Sequence, residues 1–179
     1  MIGLQRGKVL LSAHNPEWIS NAQKVIQKLW RLLGSDAVDI QHVGSTSIRY
    51  VHAKPIIDIA VAVNNFDNLG KIRVLLETNG ISYICEDVSG QHLFACGNDE
   101  IRTHHIHFVL ADGEAWHNYL NFRDYLISHP DKAKEYDSLK QKLAVLYCND
   151  RANYTDGKAQ LISALLDEAK CWRNLIDES

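Results

Sequence analysis

The sequence predicts an α+β fold: a mixed β-sheet of about five strands packed with helices and followed by C-terminal helices. Three observations carry that reading. Residues 55–63, PIIDIAVAV, are almost wholly apolar and rich in Ile and Val, as in a central strand covered on both faces. Three more strand-like runs lie between Ile81 and Leu110, separated by short polar turns that favour antiparallel pairing. From Glu114 onward the apolar residues recur at helical spacing.

In chain order, residues 8–12 form a short apolar run that reads as a strand. Asn15-Pro16 reads as a helix start, Asn as cap and Pro at the first helical position. Trp18, Ala22, Val25, Leu29 and Leu32 then make one stripe, and Gly34 suits the C-terminal turn. Residues 37–43 read as a strand leading into a turn at Gly44, and residues 66–79 as a helix closed by Gly80. Strands are expected over 81–85, 91–96 and 101–110, with turns at Ser89-Gly90 and Gly97-Asn98-Asp99. One helix carries Trp116, Tyr119, Phe122 and Leu126 up to His129-Pro130. The next carries Tyr136, Leu139, Leu143 and Leu146, and the last starts near Thr155. The expected organisation is one unit over 1–179, its sheet-containing core at about 8–110 and its helical part at about 114–176.

Composition narrows the function classes. A formal charge of −3 gives no broad basic surface, which argues against a dedicated nucleic-acid-binding protein but leaves room for a local basic site. Cys85, Cys96, Cys148 and Cys171 include no Cys-x-x-Cys pair, which excludes a zinc ribbon or thioredoxin-type motif and fits reduced thiols. No apolar run approaches the ~20 residues that span a bilayer. The expected location is therefore the cytoplasm, with no membrane partner.

Four features could carry chemistry. Gly44-Ser45-Thr46-Ser47 is a small polar turn; glycine lets backbone approach a phosphate, and the hydroxyls add donors. The same residues also suit an ordinary turn. Asp58 sits inside the apolar strand, facing the same way as Ala60 and Ala62. A carboxylate there needs a cation, strong hydrogen bonds or a metal, and Lys54 is close enough to place positive charge at that end of the strand. Asp58 is thus a candidate metal ligand or base, against the alternative of a structural ion pair.

The third feature is the run from Arg102 to His107, RTHHIH. Strand alternation puts His105 and His107 on one face and Arg102, His104 and Ile106 on the other. Two imidazoles at i and i+2 can share a metal or hold a phosphate, with Arg102 adding charge, or they can simply satisfy neighbouring polar groups. The run falls near the His-x-His-x-His motif of histidine-triad nucleotide hydrolases, but Thr103 occupies the first position. The fourth feature is YTDGK at residues 154–158, where Thr155 or Asp156 can cap a helix whose N-terminus and Lys158 would favour an anion. An ordinary capped helix fits that segment as well.

Taken in order, HVGSTSI, AKPIIDIAV, RTHHIHFVL, NFRDYLISHPDKAKEYDSLKQKLA and YTDGK resemble the GrpB family over about residues 11–169. The Pro16-Glu17-Trp18 opening matches the family's usual Pro-x-Trp. GrpB proteins are similar in fold to polymerase-β-like nucleotidyltransferases. Those enzymes hold the triphosphate on a Gly-Ser turn, bind two magnesium ions on paired strand acids with a third acid on a later strand, and move a nucleotidyl group onto a hydroxyl or similar acceptor. The resemblance puts Gly44 and Ser45 at the phosphate position and Asp58 at the first acid; by their own chemistry Thr46, Ser47, Lys54, Arg102 and Lys158 are further expected substrate contacts. Together these give Asp58 and His107 as the expected catalytic pair, and Asp58, His105 and His107 as the expected ligands of a divalent ion (Mg, Mn or Zn).

Ala60, however, stands where the second acid belongs, and His105 and His107 stand on the strand expected to give the third. One carboxylate with two imidazoles suits zinc or manganese better than a magnesium pair. The resemblance therefore implies a divergent nucleotidyltransferase-like protein taking a nucleotide or other phosphate-containing small molecule. The alternative is a binding module of the same fold without catalysis, for which a coenzyme-A-related ligand is implied by fusions of GrpB-like segments to dephospho-coenzyme A kinase. A histidine-based phosphohydrolase is a further, weaker reading.

Overall fold

The computed structural model describes residues 2–88 and 90–178. Six strands form one mixed sheet: β1 (Leu4–Gln5), β2 (Asp39–Val43), β3 (Ile57–Val63), β4 (Ser82–Val88), β5 (Gln91–Gly97) and β6 (Ile101–Leu110). Their order is β2-β3-β6-β5-β4, with β1 also pairing β6. The helices are α1 (Glu17–Leu33), α2 (Leu69–Thr78), α3 (Glu114–Ser128), α4 (Pro130–Leu146), α5 (Arg151–Asp156) and α6 (Ala159–Asp177). Among the described residues no helix is long and apolar enough to cross a membrane.

The expected α+β architecture and its central strand are present. β3 pairs antiparallel with β2 and parallel with β6, and Ala60, Val61 and Ala62 are fully buried. Its two faces do different work. Ile57, Ile59 and Val61 join Ile106 and Phe108 of β6 under Trp18 and Leu29 of α1 and Leu76 of α2. On the other face the small side chains of Ala60 and Ala62 leave room for Trp116 of α3, which packs there with Val43 and Val109. A second cluster ties Ile48 and Val51, beyond the Gly44 turn, to Tyr125, Tyr136 and Leu165 of the C-terminal helices. The face that carries Asp58 is therefore roofed by α3, α4 and α6.

Local expectations are corrected at residues 8–12 and at the start of the last helix. Residues 8–12 are not a strand; only Ser12 makes an isolated bridge, to Ala53. Val9 instead donates its N–H to the Cys148 carbonyl and packs beneath Leu143 and Tyr154, so the apolar pattern reports burial rather than sheet pairing. The paired N-terminal segment is β1, two residues long. The last helix does not start near Thr155. Thr155 and Asp156 lie inside α5, which Asp150 caps by accepting the Asn153 N–H, and α6 begins only after Gly157. Asn15 does act at the start of α1, its Oδ1 accepting the Glu17 N–H at 2.9 Å. Ser89 of the Ser89-Gly90 turn lies outside the described residues.

Candidate functional site

The register of β3 and β6 builds the site. Asp58 pairs with His105 and Ala60 with His107, so all four point to the roofed face. His105 Nδ1 lies 3.2 Å and His107 Nε2 3.4 Å from the same oxygen, Asp58 Oδ1. Burial opposes ionisation of Asp58, but hydrogen bonds from the two histidines and their charge outweigh it, holding the carboxyl well below its ordinary range. An ionised carboxylate only accepts, so both facing nitrogens donate.

Gly44 covers this carboxylate. Its backbone, φ +69° and ψ −173°, lies in a region open essentially to glycine. A Cβ there would stand 2.7 Å from Asp58 Oδ2. The turn that follows, Ser45–Ser47, holds itself together with its own polar groups. Ser47 Oγ donates to the Gly44 carbonyl at 2.6 Å, and buried Thr46 bonds His42 Nε2 through its hydroxyl at 2.9 Å. Burial pushes the His42 imidazole down to about 4, leaving it neutral near pH 7. Ser45, whose Oγ lies 3.4 Å from Tyr136 Oη, faces the adjoining cleft.

That cleft, about 260 Å3, runs from Gly44, Ser45 and Asp58 to the helices. Lys54, Lys140, Arg151 and Lys158 converge on it. Lys54 and Lys158 lie 5.2 and 4.4 Å from the ring centre of buried Tyr154. Burial and the neighbouring cations push both lysines down to about 8. Lys140, 2% exposed, is pushed by the same causes to about 7, and it donates to the His52 carbonyl. Among the described residues no carboxylate lies within ion-pair distance of Lys54, Arg151 or Lys158. The segment leading to Lys54 is clamped by Asp137 of α4, which accepts the His52 N–H at 2.6 Å and bonds His52 Nδ1 at 2.9 Å.

The structure brings Gly44, Ser45, Thr46, Lys54, Asp58, His105 and Lys158 to this cleft. His107 stands beside it through Asp58. Two expected substrate contacts are corrected. Ser47 does not line the cleft, and its proton is spent on the turn. Arg102 lies on the opposite face of β6, paired with Leu4 and Gly97, because alternation separates it from His105 and His107. Sequence reading missed Tyr136, Lys140, Arg151 and Tyr154. For Lys140 a signal existed: Tyr136, Lys140 and Leu143 share one stripe of α4, so a lysine stands where an apolar residue belongs.

The donor set has consequences for a metal. Asp58, His105 and His107 each place one ligand atom within 4.8 Å of the others. One oxygen and two imidazole nitrogens fit a single zinc- or manganese-type ion. They do not fit a magnesium pair, since Ala60 is sealed under Trp116.

A sheet-and-helix cleft that sets a glycine turn over a strand aspartate, with cations opposite, defines the class. The chain belongs to the GrpB family, whose GrpB protein pattern matches residues 8–168. It is 36% identical to the glutamate-rich protein GrpB of Alkalihalophilus pseudofirmus over 94% of this chain and 99% of that one. It is 33% identical to the UPF0157 protein YqkA of Bacillus subtilis over 93% of this chain, which spans only 48% of that protein. The crystal structure of the conserved protein GrpB from Enterococcus faecalis superposes with a TM-score of 0.83 and 30% identity, covering 91% of this chain and 99% of that one. The Cid1 poly(U) polymerase with Mg 3'-dATP bound aligns at a TM-score of 0.46 and 13% identity over 82% of this chain and 49% of its own, a likeness too slight to carry an inference.

Proposed function

We propose that the cleft binds a nucleotide or other phosphate-containing small molecule, and that the protein is a divergent nucleotidyltransferase-like enzyme. The observation that carries this is the convergence of Lys54, Arg151 and Lys158, none of them in a salt bridge among the described residues, beside the Gly44 turn and the single carboxylate Asp58. These cations outnumber the carboxylate they face and lower one another's pKa, and a polyphosphate relieves that repulsion. Ser45 would donate to a phosphate oxygen, and Lys54 and Lys158 would neutralise the group that departs. In nucleotidyl transfer an acceptor oxygen bonds phosphorus while pyrophosphate leaves with the bridging electrons. Asp58, which lines the same cleft, and His107 beside it would assist the acceptor. Asp58, His105 and His107 would hold one divalent ion, which would supply Lewis-acid polarisation of a phosphoryl oxygen.

The test is thermal denaturation with ATP, GTP, CTP or UTP, each with and without Zn2+ or Mn2+. Nucleotide raises the melting temperature, the ion adds to the shift, and Asp58→Ala removes the ion's share. Unchanged melting with every pair tried would refute the reading. A second reading, a binding module without turnover, is favoured by buried Ala60. It predicts nucleotide binding indifferent to chelators, and detection of a nucleotidylated product would exclude it.

A further inference from the structure

We infer that the ligand is a nucleotide recognised by its base as well as its phosphates, the base lying in an uncharged slot that continues from the cationic cleft past Gly44. This rests on the phosphate reading above. The slot, also about 260 Å3, is formed by Asn118, Tyr119 and Phe122 of α3, Ile162 and Leu166 of α6, and Gln91 of β5. Gly44 and Phe122 line both spaces, so the two adjoin where Gly44 covers Asp58.

The chemistry changes across that junction. On one side stand lysines and an arginine. On the other, among the described residues, no charged side chain lines the slot. Its walls are aliphatic and aromatic, and Phe122 is braced edge-on against Tyr136 at 5.3 Å. Its polar edges are side-chain amides. Gln91 Oε1 accepts from Tyr119 Oη at 3.2 Å, which leaves the amide NH2 as a donor. Asn118 Oδ1, shielded from water, has no donor.

An alkyl chain would leave those amides unmatched, and a charged group would find no counterion. A flat uncharged heterocycle with ring donors and acceptors meets both the walls and the edges, and a nucleobase is such a group. Size agrees. Each space alone is smaller than the roughly 300–1,000 Å3 of small-molecule sites, whereas the joined spaces fall inside that range.

The test is calorimetric titration of the full chain with inorganic tripolyphosphate and with each of the four ribonucleoside triphosphates, at one fixed Mn2+ concentration. At least one nucleotide should bind about tenfold or more tightly than tripolyphosphate, the order that stacking one base on an aromatic supplies. Ile162→Trp, which fills the slot, should reduce that nucleotide to the tripolyphosphate level while leaving tripolyphosphate binding unchanged. Asn118→Leu, the milder variant, should shrink the preference several-fold. Equal binding of tripolyphosphate and all four nucleotides by the unaltered protein overturns the base slot alone and needs no variant. A folded Ile162→Trp protein that keeps the preference overturns it as well. Absence of binding by tripolyphosphate and every nucleotide overturns the phosphate reading and the slot together.

Discussion

Gly44→Ala tests how closely the turn is fitted to Asp58. Two penalties add at this position. The backbone must hold an alanine at φ +69° and ψ −173°, a strain of about 1–3 kcal/mol. The new methyl also meets Asp58 Oδ2 at 2.7 Å and its Cγ at 3.1 Å, and overpacking of that kind costs about 1–3 kcal/mol. The expected loss is about 2–6 kcal/mol. At about 2–4 °C per kcal/mol for a chain of this size, melting falls by roughly 4–24 °C. Urea denaturation followed by tryptophan fluorescence measures it. Repeating the substitution with Asp58→Ala in place removes the contacts to Oδ2 and Cγ, while the contact to the residue-58 Cβ at 3.0 Å and the dihedral strain remain. Gly44→Ala should cost about 1 kcal/mol less in that background. A loss below about 1 kcal/mol, or an identical loss with and without the carboxylate, would show that the turn does not press on Asp58.

Asp58 holds its charge below its unfolded range, so its stabilising contribution is complete above about pH 4 and is lost as pH falls further. The stability difference between the native chain and Asp58→Asn, read by urea melts, should therefore shrink from pH 4 downward; a constant difference contradicts the hydrogen bonds assigned to His105 and His107. Lys140 titrates near 7 when folded and near 10.5 when unfolded, so the unfolded chain binds more protons between those values and stability rises with pH across them. Lys140→Met should flatten that rise, as melting temperatures from pH 7 to 10 would reveal. Asp137→Ala strips acceptors from the His52 N–H and imidazole and should lower stability by about 2–4 kcal/mol, a cost not expected if His52 is held by other contacts. Tripolyphosphate affinity should fall between pH 7 and 9 as Lys140, Lys54 and Lys158 discharge; calorimetry at constant ionic strength that finds no fall removes these lysines from the phosphate site.

The sheet was legible where burial and alternation agree. β6 spans Ile101–Leu110 as read, and the histidines fall on the faces that alternation assigned. Residues 8–12 misled because an apolar run records only that a segment is covered, and Val9 is covered by helices rather than by neighbouring strands. Ser47 and Arg102 misled in different ways. The Ser47 hydroxyl had a nearer partner in its own turn, and Arg102 was grouped with the histidines by closeness in sequence although the pleat turns it away. The half of the cleft formed by Lys140, Arg151 and Tyr154 arrives from α4 and α5; the stripe of α4 flags Lys140 as an out-of-place charge, but no local pattern announces that it meets Arg151 and Tyr154 in space.

The parallel pairing of β3 with β6 also bears on how the chain matures. Asp58 leaves the ribosome 47 residues before His105, and the crossover containing α2, β4 and β5 must be synthesised before the two strands can join. Lys158 arrives later still. A nascent chain therefore exposes its turn, Lys54 and its carboxylate long before Lys140, Arg151 and Lys158 arrive to complete the cationic side of the cleft.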